Sequence, residues 1–103
     1  MTEATLFPNW QDKVVYSDDG PQPQILMVND KVKALVAGLE PGQKIPEHPE
    51  AASVYYFLTG SGWIVVDGER WPVSEGAIVT MPDGTARGVE AETRLAFLAT
   101  RIA

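Results

Sequence analysis

The sequence contains no cysteine and a single histidine. Without cysteine there is no disulfide, no thiolate zinc site and no cysteine nucleophile. One histidine per chain removes two-histidine and three-histidine metal sites. Basic residues are also scarce: 8 Lys and Arg stand against 14 Asp and Glu, for a net charge of −6. So acidic a chain lacks the cations that neutralise nucleic-acid phosphates or draw a protein to an anionic membrane surface. Neither nucleic acid nor membrane is expected as a partner. No apolar run approaches the ~20 residues of a membrane-spanning helix. The first residues, Met-Thr-Glu-Ala-Thr, form neither the basic nor the apolar part of a secretory signal. A cytoplasmic location is the expectation.

What is present reads as one small β domain. The chain has 103 residues, 45% of them hydrophobic and 21% charged, close to ordinary globular usage. The 9 glycines and 8 prolines are spread along the chain. That spacing suits turns between short strands rather than a linker. Residues 1–23 read as an N-terminal arm with one short strand at 13–17, and residues 24–103 as a barrel. Within the barrel, strands are expected at 24–28, 31–39, 54–58, 63–66, 71–73, 77–81, 86–89 and 94–100. Asn29-Asp30 and Asp67-Gly68 supply tight turns. Pro41-Gly42 opens what reads as a loop to about residue 52. Glycines 60, 62, 68, 76 and 84 are expected at corners that use positive φ. With about nine short strands and no clear helical period, the pattern is that of an all-β sandwich or barrel. Alternation sets Ser53, Tyr55 and Phe57 on one face and Val54, Tyr56 and Leu58 on the other.

Two blocks between Pro41 and Val89 carry a resemblance. In the first, Gly42 stands ahead of His48 and Ser53 ahead of Gly60, with Val54-Tyr55-Tyr56-Phe57-Leu58-Thr59-Gly60-Ser61-Gly62 filling the end. In the second, Gly76, Pro82 and Gly84 recur at fixed offsets, and Asp67-Gly68-Glu69-Arg70-Trp71-Pro72-Val73 forms a hairpin between the blocks. This spacing resembles the cupin family. The resemblance implies an antiparallel jelly-roll β-barrel, the double-stranded β-helix. It also implies a small molecule held inside the barrel, and pairing of two copies as a homodimer through edge strands and the arm.

The resemblance also implies a metal site, and this chain departs from it. Metal-binding cupins use two histidines and a glutamate from the first block and a histidine from the second. Carried over, these positions are His48, Glu50, Ser53 and Arg87. One of the four ligands is kept, and a guanidinium stands where the last imidazole would be. Two ligands hold a transition metal weakly, and a cation beside them repels it. No tightly bound metal and no other cofactor is therefore expected. Arg87 instead supplies a fixed positive charge, with Glu50 as its expected charge-assisted partner. His48, Ser53 and Tyr55 would complete a pocket for a small polar or anionic molecule.

Three functional readings stay open on the sequence. The first is a binding protein for such a molecule. The second is an enzyme: a metal-free isomerase or lyase with Glu50 or His48 as general base, or a metal-dependent oxygenase with an unconventional site. The third is a sensor or assembly domain whose vestigial pocket is filled by Tyr55, Phe57 or Trp63. Each polar candidate also has a plain structural role. Glu50 and Arg87 can be an ion pair that plugs the former metal position. Trp10, in the arm, reads as an interface anchor or a lid.

Overall fold

Alternation in the sequence becomes two antiparallel sheets facing each other across one core. The structure, a computed structural model, describes residues 4–102. Among the described residues, nine strands follow one short 3-10 turn at Trp10–Asp12. They are β1 (Gln24–Val28), β2 (Val32–Leu39), β3 (Lys44–Pro49), β4 (Ala52–Thr59), β5 (Ser61–Val66), β6 (Glu69–Ser74), β7 (Ile78–Met81), β8 (Ala86–Ala91) and β9 (Leu95–Ile102). One sheet has the order β1-β2-β9-β4-β7 and the other β3-β8-β5-β6. Every pairing is antiparallel. The exchange of strands between two sheets is that of a jelly roll. No helix among the described residues is long and apolar enough to cross a membrane.

The register stacks the inner face of the larger sheet into rows. Leu35, Ala99, Tyr55 and Val79 lie side by side across β2, β9, β4 and β7. Ala37, Phe97 and Phe57 form the next row. Ile64, Val66, Val73 and Val89 meet them from the smaller sheet. Each such side chain, once buried, contributes roughly 1.5–3 kcal/mol. Phe57 lies 5.7 Å from Phe97, ring to ring, and Tyr55 stacks on Phe97 at 5.1 Å and 9°. Val54 and Tyr56, of opposite parity, are exposed.

Two local expectations fail. Residues 13–17 are not a strand. The arm crosses the outer face of the larger sheet instead, where Trp10, Val14 and Tyr16 pack with Val36, Ala96 and Leu98. Gly38 makes this approach possible, because a Cβ there would run into Val14 and the Tyr16 ring. Conversely, the stretch read as a loop after Pro41-Gly42 contains β3. Pro46 and Pro49 hide it in the sequence, since proline cannot complete a ladder. β3 is the edge strand of its sheet, and its register shifts between Ile45 and His48, the two settings that tolerate proline.

An ion pair seals the arm. Arg94 grips Glu40 with both nitrogens, Nε to Oε1 at 2.7 Å and Nη2 to Oε2 at 3.1 Å, and its guanidinium lies 4.4 Å over the Tyr16 ring. The hydrogen bonds from Arg94 hold the Glu40 carboxyl below its ordinary range, and the same bonds raise Arg94. Burial pushes the Tyr16 phenol up. At the β5–β6 hairpin, Asp67 and Gly68 both take positive φ, 47° and 87°, as a type I′ turn requires. Gly62 does not have positive φ. Its reason is proximity, because a Cβ would collide with the Glu90 carbonyl of β8.

Candidate functional site

A cavity of about 210 Å³ opens at one end of the space between the sheets. Its wall is largely apolar: Leu35 and Ala37 from β2, Ile45 from β3, Tyr55 from β4, Val89 from β8 and Phe97 from β9. The polar lining comes from His48, Arg87 and Arg101, and Pro23 borders it just before β1. The aromatic rings expected to fill a vestigial barrel leave this space open. Tyr55 forms part of its wall, and Phe57 packs deeper. Trp63 has the parity opposite to buried Gly62 and Ile64, and Arg70 lies 4.2 Å over its ring.

Arg87 is 1% exposed. Its Nε donates to the Thr85 carbonyl at 2.9 Å. Nη1 donates to the Ala51 carbonyl at 2.8 Å and to Ser53 Oγ at 2.7 Å. Nη2 donates to the Glu50 and Pro82 carbonyls at 3.3 and 3.4 Å. All five donors of a guanidinium are thereby engaged. Ser53 is equally committed, since its hydroxyl donates to the Ala51 carbonyl at 2.8 Å. Arg87 therefore ties the β3–β4 corner to the β7–β8 corner, through neutral oxygens only.

The expected pairing of Arg87 with the Glu50 carboxylate is not formed; Arg87 meets that residue at its backbone oxygen. The Glu50 side chain turns outward, with Oε2 3.0 Å from His48 Nε2 and Oε1 3.7 Å from Arg101 Nη1. The physical reason is supply. The two corners offer Arg87 enough oxygens without a carboxylate, and an outward Glu50 keeps its charge partly in water. His48 is half exposed, and its Nδ1 lies 3.0 Å from the Pro46 carbonyl. Of the sequence-derived candidates, His48, Tyr55 and Arg87 border the cavity, while Glu50 and Ser53 stand behind them.

Arg101 escaped the sequence reading, because the last strand was expected to end at residue 100. Its parity is the signal that was there: residues 97, 99 and 101 alternate inward. On the inner face, Arg101 sits directly opposite Lys33 of β2 and Ser53 of β4. Its Nε is the buried side-chain atom that, among the described residues, has no hydrogen-bond partner. The 3.7 Å contact with Glu50 is too long for a hydrogen bond. An unpartnered buried donor costs about 1–3 kcal/mol. Lys33 has no ion pair among the described residues. Like charges placed directly across a ladder repel. Arg101, which lines the apolar cavity with its Nε unpartnered and Lys33 beside it in the ladder, is complementary to an anion.

Residues 35–100 match the protein family described as Cupin domain. The chain belongs to the cupin family. Several solved cupin-like structures superpose on nearly all of it. An RmlC-like cupin from Desulfovibrio desulfuricans is 25% identical, with 99% of this chain and 96% of that one covered and a TM-score of 0.81. A conserved protein with a double-stranded β-helix domain from Klebsiella pneumoniae is 18% identical, covering 97% and 90%, with a TM-score of 0.87. A conserved protein of unknown function from Streptococcus pyogenes is 22% identical, covering 99% and 90%, with a TM-score of 0.84. No curated protein matches the chain in sequence.

The metal-ligand positions that the resemblance implies are held here by His48, Glu50, Ser53 and Arg87. These residues do not fit a transition metal. Ser53 and Arg87 are bonded to each other, and His48 and Glu50 are bonded to each other. Among the described residues, no three His, Cys, Asp or Glu side chains come together. A buried guanidinium cross-links the corners from the position where the resemblance implies a ligand.

Proposed function

We propose that this cupin binds a small organic carboxylate in the barrel cavity, without a resident transition metal, and that Arg101 anchors its charge. The observation that carries this reading is the buried, unpartnered Nε of Arg101 beside an apolar cavity. A guanidinium grips a carboxylate with two parallel hydrogen bonds. The apolar wall and the Tyr55–Phe97 stack suit a compact hydrocarbon or aromatic body. The size is consistent, because an apolar cavity of ~150 Å³ already admits benzene. Tyr55, with its phenol hydroxyl, is part of the cavity lining. The test is thermal unfolding in the presence of acetate, butyrate, cyclohexanecarboxylate and benzoate. A rise in Tm with the ring acids, absent in Arg101→Gln, is expected. If no carboxylate raises Tm in the native protein, the reading is wrong.

The His48–Glu50 contact supports a second reading, a metal-free isomerase or lyase in which this pair moves a proton at the cavity mouth. Deuterium exchange into a bound carboxylate, followed by NMR and lost in His48→Ala, is its signature.

A second copy of the chain is the protein partner proposed here. Val54, Tyr56, Ile78 and Ile102 leave an exposed apolar strip on the outer face of the larger sheet, continuous with the part that the arm covers. Light scattering after size exclusion is expected to give a dimer, and Tyr56→Glu a monomer.

A further inference from the structure

We propose that Glu50 is a built-in competitor for the incoming carboxylate: its charge faces Arg101 in the empty site, and its bond to His48 holds it when the ligand takes the arginine. This rests on the reading of the cavity as a carboxylate site. The Glu50 backbone is fixed, since its carbonyl accepts from Arg87 Nη2 at 3.3 Å and from the Gly84 N–H at 2.8 Å. Its carboxylate is at the end of a flexible stem and lies between two cations. The bond to His48 Nε2 is short, 3.0 Å, and the contact with Arg101 is long, 3.7 Å. The weaker contact is the one that must give way.

His48 already holds the group that the ligand displaces. Its Nδ1 faces the Pro46 carbonyl and its Nε2 faces the Glu50 carboxylate. Both partners are acceptors, so the ring is anchored on one side and presents a donor on the other when both nitrogens carry protons. Glu50 therefore keeps a partner after it leaves Arg101, and no buried charge is stranded. Remove His48, and Glu50 has only the arginine to turn to. Remove the charge of Glu50, and the arginine stands free.

These opposite effects make the test specific. Benzoate is titrated calorimetrically into the native protein, Glu50→Gln, His48→Ala and the double variant. Glu50→Gln is expected to bind benzoate roughly five- to tenfold tighter, a coupling of ordinary size between two groups at one site. His48→Ala is expected to bind several-fold weaker. In the double variant the His48→Ala loss disappears, because the competitor is gone. Glu47→Gln removes the same charge two residues from the cavity residue Ile45, where Glu47 holds the Gly68 N–H, and is expected to leave affinity unchanged. Circular dichroism verifies folding, and Glu50→Ala serves as the second variant at that position.

Equal or weaker benzoate binding in both Glu50 variants overturns the competitor role and leaves the carboxylate site standing. A His48→Ala loss that persists in the double variant also overturns it, since His48 would then touch the ligand itself. Absence of benzoate binding in all four proteins overturns the carboxylate reading and this inference together.

Discussion

The two ends of the barrel interior are built from the same strands with the same alternation, yet they differ in what they need. At the closed end, Leu39, Phe57, Ile64 and Leu95 are each 0% exposed, and apolar contact satisfies them completely. At the open end, further along the same strands, the inward positions carry Lys33, Ser53 and Arg101. Apolar packing cannot satisfy those groups. The contrast sharpens between the two arginines of this end. Arg87 has five oxygen partners and acts as a cross-link, whereas Arg101 has an idle buried nitrogen and a distant carboxylate. A satisfied buried cation is structural; an unsatisfied one is available for binding.

Substitutions can break this comparison. The largest loss is expected at the closed end, where Phe57→Ala should cost about 3–5 kcal/mol in denaturant unfolding, by loss of transfer energy and a retained cavity. Next comes Arg87→Ala, at about 3 kcal/mol, because the five hydrogen bonds that tie the two corners are lost at once. Arg87→Lys should recover little of it, since an ammonium cannot span five divergent oxygens. If Arg87→Ala unfolds like the native protein, the cross-link role is wrong. Arg101→Gln should change stability by no more than about 0.5 kcal/mol while abolishing the benzoate-induced rise in Tm. A large destabilisation there would make the two arginines equivalent and erase the contrast.

Metal analysis tests the open end differently. Protein expressed with added iron, manganese, nickel, copper and zinc, and purified without a histidine tag, is expected to carry far less than one metal per chain. Near-stoichiometric metal that is lost in His48→Ala would mean that His48 and Glu50 separate to bind it.

The smallest effect concerns the arm. The folded-state Glu40 carboxyl lies below its unfolded value because Arg94 bonds to it. Its contribution to stability is therefore present above the unfolded pKa, about 4.3, and is lost as pH falls through the lower, folded value. Glu40→Gln should flatten the acid side of the stability curve and leave the cavity's benzoate response intact. An unchanged acid limb would remove the Glu40–Arg94 pair from the arm's stabilisation.

Most of the fold was legible in the chain because alternation, turn glycines and the Asp67-Gly68 hairpin are local signals. The exceptions have local causes too. The prolines at 46 and 49 disguised an edge strand, and the β-prone residues at 13–17 found side-chain contacts in place of a ladder. The candidate site was legible only as a set of positions. His48, Tyr55 and Arg87 do border one cavity, since strand parity and the block spacing bring them to the same end.

By itself, the sequence determined the jelly roll and the inward face of β4, both consequences of residue type and spacing. Only the tertiary structure decided how the charges pair. Arg87 is held by carbonyls of two corners, and its contacts with Ala51 and Glu50 span 36 and 37 residues of sequence. Glu50 is drawn to His48, and Arg101 is left beside Lys33 with a buried donor unmet. Hydrogen-bond partners are chosen by proximity in space after the sheets have packed, and backbone oxygens, which every residue carries, leave no trace in the sequence.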